Sequence, residues 1–253
     1  MILRRVIDHV KAQNWFAVAI DFVIVVLGVF VGMQVNNWNG ARIDRQRADG
    51  FLARIAADLD ADLANYADRA QFWRRVREYG AIALTDSEAG GAVDGVDSWP
   101  LLLAYFQTSQ VYEFTTTSAT FDELKSAGDI GLIADQALRS RLAQYYGAGD
   151  NPALRERPRF REHVRSLVPF DIQSYIWTRC YASDAQSRQA FVDCPAPVSP
   201  ERIAAALGTL RAEPGLQPEL RYWMSTMEVA MIIARDRAEN ARTLREEIEG
   251  ALQ

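Results

Sequence analysis

The chain has 253 residues, of which 49% are hydrophobic and 24% are charged, and this composition suits a folded domain with a sizeable core. There are 28 Lys and Arg residues against 33 Asp and Glu residues, so the formal net charge at pH 7 is −5. A net acidic chain argues against nucleic-acid binding, which needs a positively charged surface along the phosphate backbone.

One long apolar segment separates a short basic leader, residues 1–14, from the remainder of the chain. It runs from Trp15 to Val35 and is followed at 36–39 by the sequence NNWN. A helix of that length spans roughly 30 Å, which is the thickness of the hydrocarbon core of a bilayer. We therefore predict a cytoplasmic leader over 1–14 and a transmembrane helix over 15–37, with the lipid bilayer as its first partner.

A cleaved signal peptide is the main alternative to a membrane anchor, because the leader carries the basic residues Arg4, Arg5 and Lys11. The apolar run is long for the central region of a signal peptide, however, and no small-residue cleavage motif follows it. The pattern therefore favours an uncleaved signal anchor.

Three features of the span indicate an interface with another membrane helix. Gly28 and Gly32 form a G-x-x-x-G motif, which lets two helix backbones approach closely. Asp21 is an acid inside the apolar run, where a charge is costly and usually meets a partner, a polar cavity or the nearer interface. A proton-relay role for this acid stays open as an alternative. The polar groups at the far boundary either solvate the interface or bond to a second helix: Asn36, Asn37, Trp38 and Asn39.

The direction of the span depends on two signals. Basic residues flank both ends of the apolar run, so the positive-inside rule does not decide the orientation. The only cysteines, Cys180 and Cys194, lie close in sequence, and a disulfide across that loop would contribute up to ~3 kcal/mol. Two unrelated free thiols are the alternative. We expect the disulfide, which needs an oxidising compartment, and therefore a cytoplasmic N-terminus with the large domain outside the cytoplasm.

The span and a segment downstream resemble one bacterial family. Asp21, the glycine-containing apolar run and Gln34 followed by the NNWN of 36–39 are similar to the anchor of that family. A second similar block has an acidic-Glu-Leu-Lys-Ser centre and later leucine and tyrosine positions: Thr120–Gly128, Leu132, Ile133, Leu138, Arg139, Leu142, Tyr145 and Tyr146. The family is the membrane-anchored domain of unknown function DUF6090, whose usual acid at the first of these positions is Glu rather than Asp.

The resemblance covers about residues 15–147 and extends only loosely over the rest of the chain. It implies a protein of the bacterial inner membrane with a single span and a periplasmic C-terminal domain. It implies no reaction, so it contributes a topology and not a mechanism.

Helical periodicity continues beyond the span. Apolar residues recur every three or four positions from Phe51 to Val76, and no proline interrupts 2–98. We predict a stalk helix over 38–85, either continuous with the span or bent near 36–40. A second long helix is predicted over 218–252, where a heptad-like apolar seam indicates antiparallel packing on the stalk.

Shorter helices are expected between these two, so 86–253 is predicted to be a helical bundle that ends in the long helix. Glycines and acids predict an exposed loop over 86–98, whose acids lack the spacing of an EF-hand calcium site. Thr120 and Glu123 fit a capping box, and Asp135 fits a helix N-cap. Helices are predicted over 99–111, 121–126, 136–146, 168–181 and 200–211. No strand alternation is visible, so the predicted fold class is all-α.

Two surfaces of the bundle have both a functional and a simpler interpretation. Asp122, Glu123, Lys125 and Ser126 form either a recognition surface or, as we favour, a helical packing corner. The basic run over 155–165 suits an anionic lipid or an acidic partner, although runs of like charge are more often solvated faces.

The sequence has no signature of catalysis. Nucleotide-binding, zinc-protease, thiol-redox and serine-hydrolase motifs are absent, and only two histidines are present. We therefore predict no enzyme and no catalytic, cofactor or metal site. The predicted function is that of a membrane-anchored structural or interaction protein, either an accessory or scaffold subunit of a cell-envelope complex or a homo-oligomer. The alternative is an extracytoplasmic module that binds or senses a ligand and acts through a membrane partner.

Overall fold

The computed structural model describes residues 15–90, 97–113, 116–147, 157–184 and 188–253. Over these residues the chain is all-α, as predicted, apart from one short hairpin. The leader 1–14 lies outside the described residues.

The helices follow one another with short connections. Their bounds are α1 (Trp15–Glu88), α2 (Ser98–Thr108), α3 (Ala119–Ser126), α4 (Gln136–Gly147), α5 (Arg159–Leu167), α6 (Phe170–Arg179), α7 (Pro200–Ala212) and α8 (Leu216–Leu252). A 3₁₀ turn, Asp129–Leu132, joins α3 to α4. Strands β1 (Tyr181–Ser183) and β2 (Gln189–Phe191) pair antiparallel after α6, with Tyr181 opposite Phe191.

The first helix determines the shape of the molecule. It runs unbroken for 74 residues, so it is about 110 Å long, and the alternative of a bend near 36–40 is wrong. Its N-terminal part is long and apolar enough to cross a membrane, and none of the residues in its most apolar stretch is buried. Burial against other elements begins only at Ala48. Over residues 19–35 the apolar part of α1 is therefore exposed.

Helix α8 packs along the C-terminal half of α1, and the two helices are antiparallel. Ion pairs between them run in opposite sequence order, because Asp60 meets Arg245 whereas Glu88 meets Arg221. The backbones also approach closely, since a Cβ built at Gly80 would collide with the sulfur of Met224. The predicted packing of the long C-terminal helix on the stalk is thus observed.

Two apolar cores lie along the α1–α8 pair. The proximal core, nearer the apolar span, joins α1 and α8 to α3 and α4: Phe51, Leu52, Ile55, Leu59, Phe121, Leu124, Leu138, Leu142, Leu244 and Ile248. The distal core joins them to α2, α5, α6 and α7, with Trp223 fully buried at its centre. Tyr66 and Ala234 form a small contact between the two.

Several local predictions need correction. Helix α1 continues to Glu88, so the beginning of the predicted 86–98 loop is helical. Ser118 rather than Thr120 is the N-cap of α3, so the predicted capping box is wrong. The helix predicted over 168–181 is α6 alone, because Pro169 marks its start and the chain enters β1 after it. The N-cap at Asp135 is confirmed, since its carboxylate accepts from the backbone N–H groups of two residues of α4 at 2.7 and 3.1 Å.

A buried ion pair closes the distal end of the fold. Asp86 is 1% exposed, and its carboxylate accepts from the Nε of Arg211 at 3.0 Å and from the hydroxyl of Tyr105 at 3.1 Å. These contacts join α1, α2 and α7. Burial and the neighbouring Asp86 raise the pKa of Tyr105, so this hydroxyl stays protonated and keeps donating.

Replacing Arg211 with Met is expected to lower the free energy of unfolding by about 3 kcal/mol, because a buried carboxylate loses its counter-charge. The matched control is Arg221→Met, which removes the exposed pair with Glu88 and should cost less than about 1 kcal/mol. Denaturant unfolding of the full chain in detergent, followed by circular dichroism, measures both. Equal losses in the two variants would contradict the structural role given to Asp86.

Candidate functional site

The predicted interface residues of the apolar span all lie on α1, and helical geometry sorts them. Asp21, Gly28, Gly32 and Asn39 are spaced so that, at about 100° per residue, they fall within roughly 20° of one line along the helix. We call these four residues the span stripe. Asn36 lies at its edge, about 60° from that line.

The other two predicted residues do not belong to this face. Trp38 lies about 100° from the span stripe and Asn37 about 160° from it. An interface that uses Gly28 and Gly32 therefore cannot bury Asn37 on the same helix contact. The sequence motif NNWN is thus divided in space between two sides of α1.

The span stripe is exposed along its whole length. A Cβ built at Gly28 or at Gly32 meets nothing within 4 Å, so no described residue uses the close approach that these glycines permit. Asp21 is likewise exposed. The stripe combines an acid, two backbone-accessible positions and an amide on a helix that is otherwise apolar.

The predicted disulfide is present. Cys180 and Cys194 are bonded, with their Cα atoms 5.2 Å apart, and Cys180 is fully buried in the distal core. The indole of Trp99 donates to the carbonyl of Cys194 at 2.9 Å, and the side chain of Gln107 donates to the carbonyl of Cys180 at 3.3 Å. The bridge therefore fastens the segment after β2 to α2 and α6, in a domain whose chemistry suits an oxidising compartment.

A buried carboxylate that the sequence analysis missed lies between the two cores. Asp62 is 0% exposed; its Oδ2 accepts from the hydroxyl of Tyr145 at 2.7 Å and its Oδ1 from the backbone N–H of Thr117 at 2.8 Å. Burial, with this hydrogen bond, raises the pKa of Tyr145. Burial also raises the pKa of the adjacent Tyr66 to about 12. Asp62 thus joins α1 to α4 and to the loop before α3.

The helical period could have identified this position. Ile55, Leu59, Tyr66, Trp73 and Val76 are buried on one face of α1, and a regular three- or four-residue step passes through 62 and 69. These positions hold an acid and an arginine, residue types that lie mostly at protein surfaces. Both are buried in the structure.

The surface predicted over 122–126 is occupied by internal contacts. Glu123 pairs with Arg54 at 2.7 Å, and this hydrogen bond lowers the pKa of Glu123. The hydroxyl of Ser126 donates to the carbonyl of Asp122 at 2.7 Å, while Phe121 beside them is buried. This geometry is that of a packing corner, the simpler of the two interpretations.

The residues described here contain no group of three or more His, Cys, Asp or Glu side chains placed to hold a metal ion. Comparison with known proteins adds no assignment, because no family model, no curated protein and no solved structure matches the chain. The resemblance to DUF6090 therefore stays a prediction, and the functional argument depends on the geometry of α1 and of the domain that it carries.

Replacing Asp62 with Ala is expected to lower the free energy of unfolding by about 3 kcal/mol, because two buried donors lose their acceptor. Asp49→Ala, at an exposed position of the same helix, is the control and should change it by no more than about 0.5 kcal/mol. Denaturant titration of both variants checks this expectation. If Asp62→Ala were as mild as the control, the proposed joint between α1 and α4 would be wrong.

Proposed function

We propose that the chain is a single-pass, membrane-anchored interaction protein whose span stripe binds a second membrane helix. It acts as an accessory or scaffold subunit of a complex in the bacterial inner membrane, or as a homo-oligomer. The observation that carries the proposal is the span stripe itself. It is a line of small and polar residues on an otherwise apolar segment of α1, and no described residue packs against its glycines.

The environment of the apolar segment supports insertion in a membrane. A helix that is apolar on every side and exposed on every side is unfavourable in water, because its side chains gain nothing from burial. Lipid tails are a favourable environment for these apolar side chains, and the helix supplies all of its own backbone hydrogen bonds. The disulfide supports a domain outside the cytoplasm and, for a chain with a single span, a cytoplasmic N-terminus.

The connection between span and domain supports a mechanical role. Helix α1 has no break between Gly32 and Ala48, so a rotation or shift of the span is carried directly to the domain. From Asn39 to Ala48 the helix rises about 13 Å, more than the headgroup layer of about 5–7 Å on one side of a bilayer. The domain therefore stands clear of the lipid surface, where it meets other extracytoplasmic parts of a complex.

The position of Asp21 distinguishes between two possible partners, a second copy of this chain and a different membrane protein. In a parallel dimer of this chain across the span stripe, two Asp21 carboxylates would lie at the same depth in a medium of low dielectric. Two such charges repel strongly unless they share a proton. A different membrane protein avoids this repulsion when it presents a basic or amide group at that depth.

We expect the double variant Gly28→Ile, Gly32→Ile to weaken helix association by about tenfold or more, because branched side chains hold the two backbones apart. Phe30→Leu, on the opposite side of α1, is the control and should leave association unchanged. Native mass spectrometry from detergent, or crosslinking in membranes, reads out the oligomer and any co-purifying protein. A solitary monomer for the unmodified chain in both measurements would overturn the proposal.

Replacing Asp21 with Asn distinguishes self-association from a different partner. In a homo-oligomer the amide relieves the repulsion and still forms hydrogen bonds, so association is retained or strengthened. With a basic partner the variant loses an ion pair, and the co-purified amount falls by about tenfold. The same crosslinking assay gives both results. If Asp21→Asn changed neither self-association nor co-purification, this acid would have no place in the interface.

Ligand binding by the domain is a second candidate function, favoured by one cavity. An open cavity of about 400 Å³ lies between α1 and the β-hairpin. Phe72 and Phe191 stack at its base with ring centroids 4.8 Å apart, and Asp68, Arg75 and Arg188 line it. Its mixed lining suits a small amphipathic molecule, and a thermal-shift screen on the full chain tests this function.

A further inference from the structure

Two arginines one turn apart on α5 pack against the C-terminal end of α2. The Nη1 of Arg161 donates to the carbonyl of Ser109 at 2.6 Å, and the Nη2 of Arg165 donates to the side-chain oxygen of Gln110 at 3.2 Å. Both arginines are partly buried, so the described part of the basic run is not the solvated face that its composition suggests. We call Arg161 and Arg165 the arginine pair.

Aromatic rings fix the orientation of the second guanidinium. The guanidinium carbon of Arg165 lies 5.0 Å from the ring centroid of Phe106 and 4.8 Å from that of Trp177. Stacking between two rings leaves only the edges of the planar group available for hydrogen bonds. The Nε on one of these edges is shielded from water and has no hydrogen-bond partner among the described residues.

Among the described residues, the hydrogen bonds of the arginine pair go to neutral oxygen atoms, and no acid forms a salt bridge with either arginine. Glu113, which follows α2, pairs instead with Arg157 at 3.4 Å, and Glu162 is exposed on α5. Burial, and next the neighbouring charge of Arg161, lower the pKa of Arg165 to about 9. Carbonyl groups at the end of α2 and the aromatic rings offset part of this charge, but none of them carries a negative charge. Buried arginines in folded proteins are usually paired with an acid.

The positive charge of the arginine pair suits one class of ligand. Two neighbouring and partly exposed guanidinium groups bind phosphate or carboxylate oxygens by paired, charge-assisted hydrogen bonds, through the N–H groups that they do not use internally. We propose that the arginine pair is a binding site for a small soluble oxyanion, with phosphate as the reference ligand. The site lies in the domain, on a different part of the molecule from the span stripe, so it is independent of the proposed membrane interface.

The distance from the membrane selects a soluble ligand over a lipid headgroup. Tyr112, which follows Gln110 closely in the chain, donates through its hydroxyl to Asp68 of α1 at 3.0 Å. Asp68 is roughly 45 Å along the helix axis beyond Asn37, at the end of the apolar span. A headgroup of the same bilayer does not reach that far.

The test is binding of inorganic phosphate to the full chain in a nonionic detergent, which carries no phosphate of its own. Calorimetric titration and thermal shift are measured with sodium chloride at equal ionic strength as the salt control. Arg165→Met removes the stacked guanidinium, and Arg161→Lys keeps a charge and a donor for the end of α2. Arg159→Met, an exposed position on the same helix, is the matched control.

Phosphate is expected to raise the melting temperature of the unmodified chain and of Arg159→Met equally. Each change in the arginine pair should raise the phosphate Kd by about tenfold or more, because paired charge-assisted bonds are lost. Circular dichroism confirms that Arg161→Lys is folded, which separates lost binding from lost structure. The proposal is overturned if phosphate does not bind beyond the chloride control, or if it binds the variants of the arginine pair as tightly as the unmodified chain. Binding only to vesicles with anionic headgroups would also overturn it, in favour of a lipid site.

Discussion

The structure depends on one constraint, which is that a single unbroken helix must be stable in two environments. The first part of α1 is exposed over residues 19–35, whereas the part from Ala48 onward is packed on α8 and the shorter helices. In the first part only lipid or another helix can cover the apolar side chains; in the second, the two cores do so. Everything else in the fold is arranged along the second part, because α8 and the inserted helices have no other long surface on which to pack.

Buried polar groups give this packing its register. Helices α1 and α8 pack along a seam of small and apolar residues that includes Gly80 and Ala234. A shift of α1 by one turn relative to α4, α7 and the loop before α3 would leave Asp62 without its two donors and would separate Asp86 from Arg211. The cost of an unpaired buried carboxylate is of the order of several kcal/mol, larger than the loss from an imperfect apolar contact. The polar contacts of Asp62 and Asp86 therefore specify the position of α1 relative to the shorter helices.

The sequence predicted what depends on local pattern. The apolar span, the two long helices, the N-cap at Asp135 and the disulfide follow from periodicity, composition and spacing, and the structure contains them. The β-hairpin was missed because strands of three residues are too short to show alternation. The burial of Asp62 and the packing of Arg165 were missed for a different reason. The three- and four-residue step along α1 passes through position 62, but the donors that bond to Asp62 and the rings that pack on Arg165 lie on other elements of the chain.

The same reasoning explains why the span stripe was only partly predictable. The sequence shows an acid, two glycines and a run of amides, but it does not show whether the helix continues through the amides or bends there. Because α1 is unbroken, Asp21 and Asn39 lie on one line across the whole apolar span, whereas Asn37 is turned away. A partner helix that covers the stripe must therefore meet polar groups near both membrane surfaces and close backbone contact between them. Such a contact would constrain the depth and the rotation of α1 together and, because the helix is unbroken, also the position of the domain and its arginine pair relative to the proposed partner.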